Sequence, residues 1–284
     1  MEVNPSAQKP RTWCVAIVLA SVVLLYYHVF VSLFHDWRVN EDYSHGFFIP
    51  LISGYMIYGM RHELKEMVVR PVNWGLAIFL LGLIQLYVAT VGTEYFLQRT
   101  SLILVLFGCS LFLLGSQITK RLSAPIAYLV FMVPLPAIIW NKIAFPMQLF
   151  ASAITERAVR SLGIPIFREG NILHLANTTL EVVNACSGLR SLMTMFALSA
   201  ALTMFSSLSA GKNWMLFFAA APIAMLANTL RLTGTAVLAS RYGEEVAQGF
   251  LHDFSGMVVF VLGLALLIGV NVLLVKTSTT ETHE

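Results

Sequence analysis

Hydrophobic residues along this chain come in long blocks separated by short polar breaks. Apolar stretches run over residues 13–34, 44–60, 74–92, 100–117, 122–140, 188–208, 213–235 and 253–275. About 20 apolar residues cross the hydrocarbon core of a bilayer, so the pattern predicts eight membrane-spanning helices in an all-α polytopic membrane protein. The second and fourth blocks are short, which leaves their ends open. Lys9 and Arg11 precede the first block as they would a secretory leader. Its 22 residues, Trp13 to Phe34, exceed a leader's apolar core, and no small-residue cleavage site follows. We therefore read it as a retained first span.

Residues 137–186 have a different texture. From Ile138 to Leu162, the apolar Ile143, Phe145, Met147, Leu149 and Phe150 are interleaved with Lys142, Glu156, Arg157 and Arg160. That pattern predicts an amphipathic helix lying in the membrane interface, with a tilted ninth span as the alternative. Alternation then takes over in Ile164-Pro165-Ile166-Phe167, Ile172-Leu173-His174-Leu175 and Leu180-Glu181-Val182-Val183. Turn signals at Glu169-Gly170-Asn171 and Asn177-Thr178-Thr179 separate these pieces, so a small β-meander is expected. Open strands do not face lipid, which puts the meander in water or against protein. The whole chain, 1–284, reads as a single integral membrane domain with 137–186 as an insertion.

Composition narrows the class further. Only 12% of residues are charged and 57% are hydrophobic, with a mean hydropathy of +0.75. A soluble globule carries about 25% charge. A soluble enzyme, a disordered chain and a nucleic-acid binder are all excluded. The three cysteines, Cys14, Cys109 and Cys186, cannot make a disulfide framework. Placing the N-terminus in the cytoplasm puts nine basic residues in inner segments: Lys9, Arg11, Arg61, Lys65, Arg70, Lys120, Arg121, Lys212 and Lys276. The outer short loops then hold three, Arg38, Arg99 and Arg241. This bias predicts two cytoplasmic termini and an outward-facing 137–186 segment. No internal repeat is visible, unlike many secondary transporters.

Ionisable residues inside a membrane are costly and usually functional. Arg231 follows Lys212 by 19 residues, about 28 Å of helix, so it reaches the outer edge of the seventh span. Cys186 opens the sixth span from outside, and His252 opens the eighth. Each has an ordinary explanation alone: a buried small hydrophobe, an interfacial anchor, a helix-start residue. Cys14 and Cys109 keep that ordinary reading. A cysteine, an arginine and a histidine at one depth on one face instead suit acyl transfer. A thiolate attacks a carbonyl, and a helix N-terminus with nearby cations favours the thiolate. Arg190 is expected one helical turn from Cys186 on the same face. His252 can take and return a proton, Arg231 can hold an oxyanion, and Asn228 shares the face of Arg231. No metal ligand set has suitable spacing, and no cofactor is expected.

These residues fall in segments that resemble the exosortases, with archaeosortases as relatives. Asn184-Ala185-Cys186-Ser187-Gly188-Leu189 is similar to the family's cysteine motif, and Ala227-Asn228-Thr229-Leu230-Arg231 to its arginine motif. His252 with Gly256 is similar to its histidine motif, and histidine there suits the bacterial branch. Tyr43-Ser44-His45-Gly46-Phe47 and Val133-Pro134-Leu135-Pro136 resemble further family segments, and the similarity runs over about residues 13–275. The resemblance implies an eight-span cysteine protease-transpeptidase of the bacterial inner membrane, with catalytic Cys186, Arg231 and His252. Supporting or substrate-binding residues would be Arg190, Asn184, Asn228, Ser187, Gly256 and His45. Its substrates would be membrane-anchored proteins ending in a Pro-Glu-Pro-like motif, a transmembrane helix and a basic tail. Its partners are those proteins and the bilayer, with no nucleic acid, and a link to exopolysaccharide genes is implied. The extra C-terminal extracytoplasmic domain of some relatives is not expected beyond the last span. The sequence leaves open the acceptor of the acyl group, the oligomeric state and the division of labour between Arg231 and His252.

A transporter, or an accessory component of polysaccharide export, is the competing class. The absence of repeats and the position of the polar trio at the membrane edge argue against it, since transport sites lie near the midplane. Neither Gly-x-Ser-x-Gly nor His-Glu-x-x-His occurs, which disfavours a serine or metalloprotease. The orientation is checked by introduced cysteines: Thr178→Cys is expected to react with an impermeant thiol reagent from outside the cell, and Ser209→Cys is not. The reverse pattern would invert the topology.

Overall fold

The computed structural model describes residues 12–176, 178–182, 188–206, 208–243 and 250–281. They gather into two compact units, Met1–Leu135 and Pro136–Glu284. The chain is mostly helical, and five described helices are long and apolar enough to cross a membrane: Trp74–Val91, Tyr95–Leu114, Ala137–Ser161, Ala210–Tyr242 and, within the last helix, Gly256–Ser278.

In the first unit, helices α1 (Thr12–Leu25) and α2 (Tyr27–Val39) carry the first apolar block. They meet at Tyr26 with little interruption, since Tyr26 N donates to Val22 O and Phe30 N to Tyr26 O, each at 2.9 Å. A 3-10 turn, Glu41–Phe47, leads into α3 (Phe48–Gly59), and the short α4 (Arg61–Glu66) follows. The long helices α5 (Trp74–Val91) and α6 (Tyr95–Leu114) form a hairpin with their backbones in near contact. A Cβ on Gly75 would fall 2.3 Å from Phe112 N, and one on Gly108 would fall 2.4 Å from Phe79 N. Only glycine permits that approach, as at other close helix crossings in membranes.

The predicted fifth span, 122–140, is not one helix. Helix α7 (Ser116–Tyr128) passes into a 3-10 turn, Leu129–Met132, and the chain is extended at Val133 before α8 starts at Ala137. Pro134 and Pro136 explain the break. Each lacks an N–H and steers the residue before it away from helical geometry. The two segments singled out early in the chain, 43–47 and 133–136, meet inside this first unit. Trp37 Nε1 donates to Met132 O at 2.9 Å, and the Tyr43 hydroxyl donates to Leu135 O at 3.5 Å.

Sequence patterning did not anticipate the charge pair behind this turn. Arg99 is 5% exposed in α6, and its Nη2 lies 2.5 Å from Asp36 Oδ2 and 2.9 Å from Ser32 Oγ on α2. Tyr26 adds a second polar tie between the same helices through its hydroxyl and Ser101 Oγ at 2.9 Å. Arg99, counted above as a loop charge, is thus a buried structural cation.

The second unit contains α8 (Ala137–Ser161), a three-stranded sheet, α9 (Leu189–Phe205), α10 (Ala210–Tyr242) and α11 (Phe250–Glu281). Helix α8 is 25 residues long, about 37 Å, which is enough to span a bilayer. Strands β1 (Ile166–Glu169), β2 (Ile172–Leu175) and β3 (Thr179–Glu181) make an antiparallel meander in the order β1-β2-β3. Their alternation sends Ile166, Leu173 and Leu175 into a shared core with Ala151 and Val159 of α8 and with Leu232, Ala236 and Ala239 of α10. Helix α10 accordingly runs past the predicted end of its span at residue 235, to Tyr242. The sheet covers apolar positions there that would otherwise face water.

Removing Asp36 strands a buried guanidinium. Asp36→Leu is expected to destabilise the detergent-solubilised protein by roughly 2–3 kcal/mol, below the roughly 3–5 kcal/mol of a fully buried pair, because the Asp36 side chain is 35% exposed. Asp36→Leu/Arg99→Met, which removes both charges, should recover much of the loss in a thermal unfolding assay. If the double variant is no more stable than the single one, the pair does not carry that energy.

Candidate functional site

The site is organised by α10. Its residues Ala220, Ala224 and Ala227 are at most 2% exposed, and their small side chains let α9 and α11 approach the helix closely. At Gly263 of α11 a Cβ would lie 2.7 Å from Met195 Cε of α9 and 3.8 Å from both Ala227 Cβ and Ile223 Cγ2 of α10. Three helices therefore touch at one level, directly beside the segment 227–231.

Above that level the same helices bring polar groups together. Gly188 precedes α9 with φ 82°, ψ 0°, a left-handed conformation that suits glycine. It is pressed on α10: a Cβ there would be 2.9 Å from Asn228 Cγ and 3.0 Å from Nδ2. Asn228 is 3% exposed. Arg231 follows it by three residues, close to the same face. A Cβ on Gly256 of α11 would lie 3.6 Å from Arg231 Cζ and 3.8 Å from Nε and Nη2. The Arg231 guanidinium is thus in van der Waals range of the α11 backbone. Position 252 lies one turn before Gly256 in the same helix, on nearly the same face.

Of the residues predicted from sequence, the structure brings Asn228, Arg231 and Gly256 together, and it joins Gly188 of the cysteine motif to them. Cys186, Asn184 and Ser187 lie outside the described residues. His252 is placed by backbone only, in the first turn of α11. Arg190 is half-buried in the first turn of α9. That helix begins at Leu189, and the left-handed Gly188 stands before it. His45 lies in the 3-10 turn of the first unit. Cys109 is a free, half-buried thiol on α6.

The contact of Gly188 with Asn228 was not anticipated from sequence. Its only trace is the glycine placed just before an apolar helix, where it could equally have been a cap. The polar layer sits where α10 leaves the three-helix contact and enters the core beneath the sheet, since Leu232, next to Arg231, belongs to that core. One side of the layer is lined by packed hydrocarbon, which strengthens any charge-assisted hydrogen bond made there.

Asn228, Arg231, Gly188 and Gly256 thus lie together where α10 meets the start of α9 and the first turns of α11. A family model for transmembrane exosortase matches residues 37–269. The chain belongs to that family. No match is found among curated proteins or among solved structures.

The Gly188–Asn228 contact is open to a double-mutant cycle. Gly188→Ala should lower stability by about 1–2 kcal/mol for the left-handed backbone alone, and by more through the clash with Asn228. Adding Asn228→Ala removes Cγ and Nδ2 and should return the clash part only. A fully additive cycle, read by thermal unfolding in detergent, would mean that the two residues do not touch.

Proposed function

We propose that this exosortase-family protein is a cysteine protease-transpeptidase of the bacterial inner membrane. It cleaves membrane-anchored proteins at a C-terminal sorting signal. The observation that carries the reading is the convergence of all three motif-bearing segments on residues 228–231 of α10. Gly188 stands two residues after Cys186, and two residues of chain reach at most about 7 Å. Gly256 stands one helical turn after position 252 and touches Arg231. These short tethers, one along the chain from Gly188 and one along the helix from Gly256, support a reading in which Cys186 and His252 act beside Arg231.

The chemistry follows. The Cys186 thiolate adds to the scissile carbonyl of the substrate, and Arg231 holds the oxyanion with its planar fork of donors. As the tetrahedral species collapses, the carbon–nitrogen bond breaks and the leaving amine takes a proton, for which His252 is the candidate donor. An acyl-thioester on Cys186 remains, and an acceptor nucleophile (water, a lipid amine or a glycan) releases it. Asn228 orients Arg231 from the same helix face. Ser187, Asn184 and Arg190 flank the cysteine in sequence and are the candidates to meet the substrate.

The substrate class fits the setting: a Pro-Glu-Pro-like motif just outside a transmembrane helix, followed by a basic tail. Such a helix enters from lipid and presents its motif at the membrane edge. We place that edge on the outer face, with eight crossings, both termini in the cytoplasm and the sheet outside. The lysine and arginine bias supports this orientation. The product would be a surface protein sorted in connection with exopolysaccharide.

The test is co-expression with a reporter carrying this tripartite signal, followed by immunoblot. Cys186→Ala should abolish processing while the protein stays folded in the membrane. Cys186→Ser should be nearly inactive, because an alcohol is a far weaker nucleophile without added activation. Arg231→Lys should lose most activity despite keeping the charge, whereas Cys14→Ala and Cys109→Ala should remain close to wild type. Full processing by Cys186→Ala would refute the enzyme.

A second series probes the α10–α11 contact. Gly256→Ala places a methyl at ordinary contact distance from Arg231 and should retain much of the activity. Gly256→Val pushes into the guanidinium and should cost at least tenfold. Equal rates for the two would show that Arg231 is not held there during the reaction.

A further inference from the structure

The meander has two edges, and they are treated differently. Leu175 N donates to Thr178 O at 2.8 Å, and Val182 N to Asn171 O at 2.9 Å. With Leu173 opposite Leu180, this register turns the N–H and C=O of residues 178, 180 and 182 toward β2. Those of Thr179 and Glu181 point the other way, off the free side of β3, and no hydrogen bond to them is found among the described residues. On β1 the same bookkeeping turns Ile166 and Arg168 outward. There Arg160 of α8 reaches over and donates to Ile166 O at 3.4 Å. One edge is capped by a guanidinium and the other is left open.

An open edge is a liability that proteins blunt with short strands, charged side chains, a proline, a bulge or an inward charge. Of these β3 has the short length and the exposed charge of Glu181, but no proline removes the outward donors of Thr179-Leu180-Glu181. It runs into the cysteine motif, with Cys186 five residues beyond Glu181. Its core-side Leu180 and the following Val182 belong to the same core as Leu232, the neighbour of Arg231. The edge therefore joins the candidate site both along the chain and through the core.

We propose that β3 is the docking edge for an extended segment of the membrane-anchored polypeptide that the enzyme processes. The segment adds to the sheet as a fourth strand and is delivered along β3 to Cys186. This rests on the proteolytic reading above and adds the mode of substrate binding to it. A protease needs its scissile carbonyl accessible, and a helix buries that group in its own hydrogen bonds. The segment outside the substrate's transmembrane helix must be extended, and an extended segment needs partners for its backbone. Thr179 and Glu181 offer two N–H donors and two C=O acceptors at the spacing a strand requires. The side chains of the docked strand would alternate. One set meets Leu180 and Val182 on the core side and should be apolar. The other set meets Thr179 and the carboxylate of Glu181, which favours a basic or hydrogen-bond-donating residue there.

The experiment uses the full-length enzyme and the tripartite reporter, with two independent readouts. Thr179→Pro and Glu181→Pro each delete one outward donor and leave the ladder to β2 intact. Each is expected to slow processing roughly fivefold, the worth of about one hydrogen bond, with thermal unfolding in detergent unchanged. The second readout places a photoreactive benzoylphenylalanine at position 181 of Cys186→Ala enzyme, where docking proceeds without cleavage. Illumination should join it to the reporter within the few residues outside the transmembrane helix. Wild-type rates in stably folded proline variants, or no crosslink from position 181, would overturn docking by strand addition and leave the sheet as a cover over the site. If wild type and Cys186→Ala leave the reporter equally intact, the proteolytic reading fails. The crosslink then decides docking by itself: its presence sustains the docking edge and its absence removes it.

Discussion

The second unit depends on how closely α10 lets other helices approach. Hydrophobic residues gain little by associating inside a membrane, because lipid is as apolar as they are. What holds helices together there is close packing, and close packing requires small side chains at the crossing. Helix α10 supplies Ala220, Ala224 and Ala227 toward α9 and α11, then Ala236 and Ala239 toward the sheet and α8. One helix thus serves two environments with the same device. Gly263 and Gly188 complete it from the partner helices, each at a point where a Cβ would meet a neighbour below 3 Å. A single methyl at such a point forces the helices apart, so the polar layer above inherits its geometry from contacts that are themselves apolar.

That layer occupies a particular depth for a physical reason. An arginine deep in the hydrocarbon would be costly, and one fully in water would be screened. Arg231 lies 21 residues into α10, about 32 Å from its start, where the helix leaves the three-helix contact and enters the protein core under the sheet. There it has packed side chains on one side and backbone at van der Waals distance on the other. Such an environment raises the worth of each directed hydrogen bond, which is what oxyanion stabilisation and a positioned nucleophile both require. The first unit uses burial differently. Arg99 is paired with Asp36 and serves as a tie between helices, with no motif residue among its direct partners.

Much of this was legible in the sequence because two periodicities are so strong. The apolar blocks marked α5, α6, α9, α10 and α11 within a few residues at most boundaries. The alternation in 164–183, together with its turn signals, located all three strands. The polar residues of the site stood out because charge is scarce in this chain, so Arg231 within an apolar helix is conspicuous. Where the reading failed, local chemistry overrode pattern. Hydropathy ran 122–140 together as a span, but Pro134 and Pro136 end the helix. Arg99 looked like a loop charge because its partner Asp36 is 63 residues away in sequence.

By itself, then, the sequence determined that the chain is a helical membrane protein, where its long apolar helices and three strands lie, and which residues are candidates for chemistry. Those properties are set by composition and by periodicity within windows of about ten to twenty residues. Tertiary structure alone decided that Gly188 rests on Asn228 and Gly256 on Arg231, that α10 continues beneath the sheet, and that Arg160 caps one sheet edge while no described residue covers the other. Each of these is a contact between segments far apart along the chain. Such contacts depend on how helices of particular lengths and small-residue faces pack together, and no local window of sequence carries that information.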